Sequence, residues 1–83
     1  MKYENEVREI IRKTVAITEP IDKIDADANL QNAGINSIAF VMLIVEFEGF
    51  FDVEFPDDKF AVSESGTIRK ICEVIASLKN EKE

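Results

Sequence analysis

Positions 34–38 read Gly-Ile-Asn-Ser-Ile, and a mostly apolar run follows them as far as Phe51. That juncture narrows what the chain can fold into. A polar Asn-Ser pair at the foot of a strongly apolar helical pattern is where a helix N-terminus belongs. The first turn of a helix leaves N–H groups without intrahelical partners and carries a partial positive charge, so it favours a phosphate beside it. A serine hydroxyl held there is a place for a phosphate ester. Asn and Ser also cap many helices that have no further role, so the flanking chain has to decide.

Eighty-three residues make one small domain, here read as spanning 1–83. A domain of this size buries only about 60% of the surface its unfolded chain exposes. An apolar content of 46% with six Phe supplies the core, and two prolines and three glycines leave little room for disorder. The single Cys72 excludes an internal disulfide and fits a reducing, cytoplasmic setting. Met1 to Glu6 is charged, lacks the apolar core of a secretion signal and already reads as helix. The net charge of −7, from 17 acids and 10 bases, argues against nucleic acid and anionic membranes as partners. Between Lys23 and Lys59 there is no base, while Asp25, Asp27, Glu46, Glu48, Asp52, Glu54, Asp57 and Asp58 all fall inside. A partner that comes to Ser37 is expected to present a basic surface.

Residues 2–17 read as an amphipathic helix, with Tyr3, Val7, Ile10, Ile11, Thr14 and Val15 at three- and four-residue steps. Thr18-Glu19-Pro20 ends it, because the residue before a proline is pushed away from helical angles. A long connection runs from Glu19 to Ile35, pinned by Ile24 and Leu30. Asp25-x-Asp27-x-Asn29 has the opening spacing of an EF-hand calcium loop. That loop needs Gly at its sixth position and Glu at its twelfth, where this chain has Leu30 and Asn36, so no metal site is expected.

The second helix is read from Ser37 to about Phe50. Its apolar run is far too short for a bilayer, which needs about 20 residues. Phe40, Leu43, Ile44, Phe47 and Phe51 share one arc, and Ile38, Val41, Met42 and Val45 lie roughly opposite. A surface helix needs one apolar face. The second arc is therefore expected to be an exposed patch that meets a partner, flanked by Glu46 and Glu48. Gly49 weakens the last turn by about 1 kcal/mol relative to Ala. Phe51 to Phe55 reads as an extended link whose Val53 and Phe55 plug the core, Pro56 to Phe60 as a short third helix, and Ser63 to Gly66 as a turn. Thr67 caps a last helix through Lys79, with Ile68, Ile71, Cys72, Ile75 and Leu78 as its buried stripe, and Asn80 to Glu83 is expected to fray. The fold class is all-α: a small four-helix bundle of three longer helices and one short one, with a long loop between helices 1 and 2.

In the order and spacing of these segments the chain resembles the acyl carrier and peptidyl carrier family. The resemblance rests on Ile24, Asp27 and Leu30 in the loop, Gly34-Ile35-Asn36-Ser37-Ile38, Phe51 to Asp57, and Thr67-Ile68. The family's signature is Gly-x-Asp-Ser-Leu, with 4′-phosphopantetheine esterified to the serine. This implies an arm on Ser37, donated by coenzyme A through a phosphopantetheinyl transferase, with Gly34 and Asn36 framing it. Acyl or aminoacyl groups would ride on the arm as thioesters, brought by loading and processing enzymes with basic and apolar docking surfaces. The carrier would be a monomer in the cytoplasm. Two departures stand out. Asn36 replaces the commoner Asp, and Ala39, Phe40 and Met42 stand where fatty-acid carriers usually place polar groups. They point to a specialised polyketide- or peptide-type pathway ahead of fatty-acid synthesis. With no histidine and no assembled nucleophile–base pair, the domain is not expected to be an enzyme. Two rival readings are a helical interaction module that carries no arm and a divalent-cation-binding helical protein.

Overall fold

Phe40, Leu43, Ile44, Phe47 and Phe51 lie along one side of a single helix, and all of them are buried. That helix runs Ser37–Phe51 and is the spine of the core. The computed structural model describes residues 1–80. Among them are four α-helices and no strand: α1 (Glu4–Thr14), α2 (Ser37–Phe51), α3 (Val62–Ser65) and α4 (Ile68–Leu78). The fraying expected for the tail falls, from position 81 onward, outside the described residues.

Helix α1 packs on α2 and α4 through Val7, Ile10 and Ile11. Glu4 and Glu6 sit in its first turn and Arg12 and Lys13 in its last, the order that suits the helix dipole. It stops at Thr14, three residues before the expected end. Val15 turns extended (φ −133°, ψ 156°), and the Thr18 N–H donates to the Ala33 carbonyl at 3.0 Å. The chain thus leaves the helix to meet the loop, upstream of Pro20.

The connection to α2 is built on its apolar side chains and on borrowed hydrogen bonds. Ile21, Ile24, Leu30, Ala33 and Ile35 are buried, and two 3-10 turns, Ile21–Lys23 and Leu30–Ala33, give it local order. The Arg8 guanidinium donates to the carbonyls of Ile21 (2.6 Å) and Ile24 (2.8 Å) while pairing with Glu4. The Leu30 N–H donates to the Gly66 carbonyl at 2.8 Å, and the Arg69 N–H to the Ala26 carbonyl at 3.0 Å. Main-chain groups in so long a segment must find partners somewhere, and here α1 and the start of α4 supply them.

Beyond α2, Asp52 takes left-handed angles (φ 57°, ψ 53°) and closes the helix. Phe55 is buried and stacks on Phe47 with ring centroids 6.4 Å apart, and Val53 is half-buried against the core. The short helix lies later than the sequence suggests. Pro56 opens only a 3-10 turn, Asp57–Lys59, and the helical turn is Val62–Ser65, where a plain turn is expected from the Ser-Glu-Ser-Gly composition. Val62 is buried, and its carbonyl accepts from the Asn29 side chain at 2.9 Å, a tie across 33 residues. The side chain of Thr67 caps α4 by accepting from the Lys70 N–H at 3.1 Å, and Ile68, Ile71, Cys72 and Ile75 face the core. Leu78, expected in that stripe, is exposed near the helix end.

Candidate functional site at the start of helix α2

The start of α2 is set by three consecutive backbone decisions. Gly34 ends the second 3-10 turn at φ +94°, in the left-handed region, and a β-carbon there would stand 3.3 Å from Thr18 Cγ2. A glycine resolves both constraints. Ile35 is buried and its N–H donates back to the Leu30 carbonyl at 3.2 Å, which aims the next residue out of the core. Asn36 then takes the extended angles of an N-cap, and its Oδ1 accepts the Ala39 N–H at 2.8 Å.

Ser37 is the first residue of α2 and is exposed. Its hydroxyl sits at the end of the helix where the partial charge is positive. The first turn, Ser37 to Phe40, contains no acid that would repel a phosphate. The local chemistry fits a phosphodiester carried on the Ser37 oxygen.

Along α2 from Ser37 runs an uncovered apolar stripe. Ile38 is 73% exposed, and Met42, Val45 and Val41 are 51%, 54% and 40% exposed. Glu46 is exposed beside it. Glu48, read from sequence as a second acid on that flank, is half-buried. Its Oε2 accepts the Phe55 N–H at 2.7 Å, which ties the link after α2 to the helix. Phe40, whose place in the early helix stands out in the sequence, is fully buried and belongs to the core.

The EF-hand-like residues all have structural work. Asp25 Oδ1 accepts the Asp27 N–H at 2.8 Å, Asp27 pairs with Arg69, and Asn29 Oδ1 accepts the Gln31 N–H at 2.9 Å. Among the described residues no three His, Cys, Asp or Glu side chains gather as metal ligands. The Arg69 guanidinium holds the Asp27 carboxyl below its ordinary range, chiefly by hydrogen bonding, and Arg12 does the same for Glu9. Neither carboxylate belongs to the Asn36–Ser37 turn. The residue that sequence reasoning missed is Arg8. In the periodicity of α1 it is one more charge on a wet face, and nothing local signals that it reaches two carbonyls 13 and 16 residues away.

Comparison with known proteins agrees with this geometry. Residues 5–75 match the family described as phosphopantetheine attachment site. The chain is 34% identical over 77 residues, 93% of each chain, to the aminoacyl carrier protein of Agrobacterium fabrum strain C58. It also superposes, with a TM-score of 0.80 and 32% identity, on a chain in the crystal structure of an engineered Bradyrhizobium japonicum glycine:[carrier protein] ligase complexed with carrier protein from Agrobacterium tumefaciens and ATP. That match covers 89% of this chain and 96% of the other. Among the described residues no helix is long and apolar enough to cross a membrane. The sequence match, the all-helical fold and the phosphate-compatible start of α2 agree: this chain belongs to the phosphopantetheine attachment family, as a non-catalytic carrier protein whose cofactor is covalently attached 4′-phosphopantetheine.

Proposed function

We propose that the chain is a single-domain aminoacyl carrier, 1–83, in which Ser37 bears the arm. The observation that carries this reading is an exposed serine hydroxyl at the first position of α2, on an acid-free turn and beside an uncovered apolar stripe. Ser37 supplies the hydroxyl that a phosphopantetheinyl transferase esterifies from coenzyme A. When bound, the arm offers a terminal thiol on which an acyl or aminoacyl group is held as a thioester. Asn36 fixes the turn, Gly34 lets the chain reach it, and Ile38, Val41, Met42 and Val45, with Glu46 beside them, form the surface that loading enzymes meet. Tethering raises the effective concentration of cargo at each enzyme that docks.

Aminoacyl cargo is favoured over fatty acyl cargo by the likeness to the Agrobacterium aminoacyl carrier protein and to the chain complexed with a glycine ligase. The apolar early turns of α2 support the same choice. The carrier works as a monomer in the cytoplasm, where its one cysteine, the buried Cys72, stays reduced.

The test is to treat wild type and Ser37→Ala with coenzyme A and a broad-specificity transferase and weigh both. Wild type gains the mass of one arm and the variant gains nothing; an arm on the variant would overturn the assignment. Intact mass of the protein from its native host then reads the cargo, and a fatty acyl group there would replace the aminoacyl reading while leaving Ser37 in place.

A further inference from the structure

Tyr3 and Phe51 meet edge to face, ring centroids 5.2 Å apart, so the start of α1 lies against the end of α2, and the two helices pack on one another. On the outer side of this pair, toward the end of α2, is an open groove of about 520 Å³. Ile10 and Thr14 line it from α1, and Val45, Gly49 and Phe50 from α2. Phe50 is 62% exposed, although its ring touches that of Phe51. Val45, 54% exposed, lines the same groove, and contiguous exposed apolar surface of this kind marks sites of association.

Gly49 gives the second, independent observation. A β-carbon placed on it meets nothing within 4 Å, and Gly34 is the one glycine with positive φ. Neither backbone angle nor packing requires glycine at 49, and glycine inside a helix is less stable than alanine. What it does supply is room for another chain to come close beside Phe50 and Val45.

Charge selects the occupant. The groove is edged by Glu6 and Glu46 against the single Lys13, while Glu9, also on its rim, is already paired with Arg12. A second copy would bring the same acids and another net charge of −7 to meet them, and an anionic bilayer would be repelled in the same way. Its length along α1, from Asn5 to Thr14, is about 14 Å at 1.5 Å per residue, or two and a half helical turns. A groove of this length between two packed helices accepts a third helix, whose apolar residues fill it and whose cations face the rim.

We infer that the α1–α2 groove is a docking site for a basic amphipathic helix of a partner protein, adjoining the apolar stripe at Val45 and independent of Ser37. This goes beyond the carrier reading, and it stands or fails without it.

The experiment uses a labelled helical peptide of roughly 16 residues, with Leu and Phe along one face and Lys and Arg flanking them. Binding to the full chain is followed by fluorescence anisotropy. The wild type and Ser37→Ala bind it alike, more weakly at high salt. Gly49→Leu fills the groove and weakens binding at least about tenfold, while its melting temperature is unchanged or raised, so loss of fold cannot be the cause. Glu6→Lys with Glu46→Lys weakens binding at low salt, and Val41→Asp, off the groove, leaves it intact. Binding that ignores Gly49→Leu overturns the inference, as does binding no better than that of a peptide with its apolar face scrambled. Concentration-dependent dimerisation blocked by Gly49→Leu, or attachment of the wild type to anionic vesicles, would assign the groove to another occupant and overturn it too.

Discussion

Asp27 and Arg69, 42 positions apart, form an ion pair that joins the loop before α2 to the first turn of α4. Both side chains face solvent, and the hydrogen bond from Arg69 holds the Asp27 carboxyl below its ordinary range. A carboxyl depressed in the folded state contributes stability above its unfolded pKa and loses it as pH falls through the folded value. Wild type is therefore expected to melt slightly above Asp27→Asn at neutral pH, with the gap closing in the acid range below the ordinary carboxylate pKa. Melting curves of both proteins across pH check this, and a gap that persists in acid would show that the pair does not contribute. Glu9, depressed by Arg12, titrates in the same direction, so only the difference between the two proteins is informative.

Arg8 is expected to matter more than any other charged residue for stability. Its side chain is mostly buried, and it serves two carbonyls of the loop. Replacement by Met keeps much of the stem and leaves both carbonyls without that donor, a loss of about 2–3 kcal/mol. Denaturant unfolding measures it. A loss below about 0.5 kcal/mol, the usual range of surface substitutions, would mean that the loop holds without the clamp.

The two faces of α2 separate cleanly by substitution. Leu43 is fully buried, and Leu43→Ala is expected to cost about 2–5 kcal/mol. Val41 is 40% exposed, so Val41→Asp should cost less than about 1 kcal/mol while impairing transfer to and from loading enzymes. Comparable drops in melting temperature would refute the partner surface.

Asn36 offers a charge test beside the serine. Asn36→Ala removes the oxygen that accepts the Ala39 N–H and is expected to cost about 1 kcal/mol. Asn36→Asp keeps the cap and adds an anion at the helix start, a gain of about 0.3–1 kcal/mol. It should also speed loading by a transferase with a basic docking surface, more at low salt than at high. Loading rates at two salt concentrations decide, and an unchanged rate at low salt would remove position 36 from electrostatic docking.

The parts legible in the sequence are those whose cause is local. The 3.6-residue spacing of Phe40, Leu43, Ile44, Phe47 and Phe51 is enough to separate a buried arc from the exposed one, and Asn36 and Thr67 are caps by residue type and position. Residues that depend on distant partners were not legible. Val62–Ser65 is helical where composition says turn, because Val62 is buried and Asn29 holds its carbonyl. Glu48 looks like a free acid beside the stripe, but the chain doubles back and presents the Phe55 N–H to it. Arg8 is hidden for the same reason.

The hydrogen bonds of the loop have a bearing on how cargo travels. Leu30 is tied to Gly66, Ala26 to Arg69 and Ala33 to Thr18, and Ile35 is packed in the core one residue before Asn36. Ser37 therefore stands on a footing braced from both ends of the chain. With the arm on Ser37, as proposed, a group swung from it would sweep a shell about a fixed pivot, with radius set by the arm and direction by the tumbling of the whole protein. On that proposal, passing cargo from one enzyme to the next would be a matter of which side the molecule turns toward its partner, with no bending of the loop.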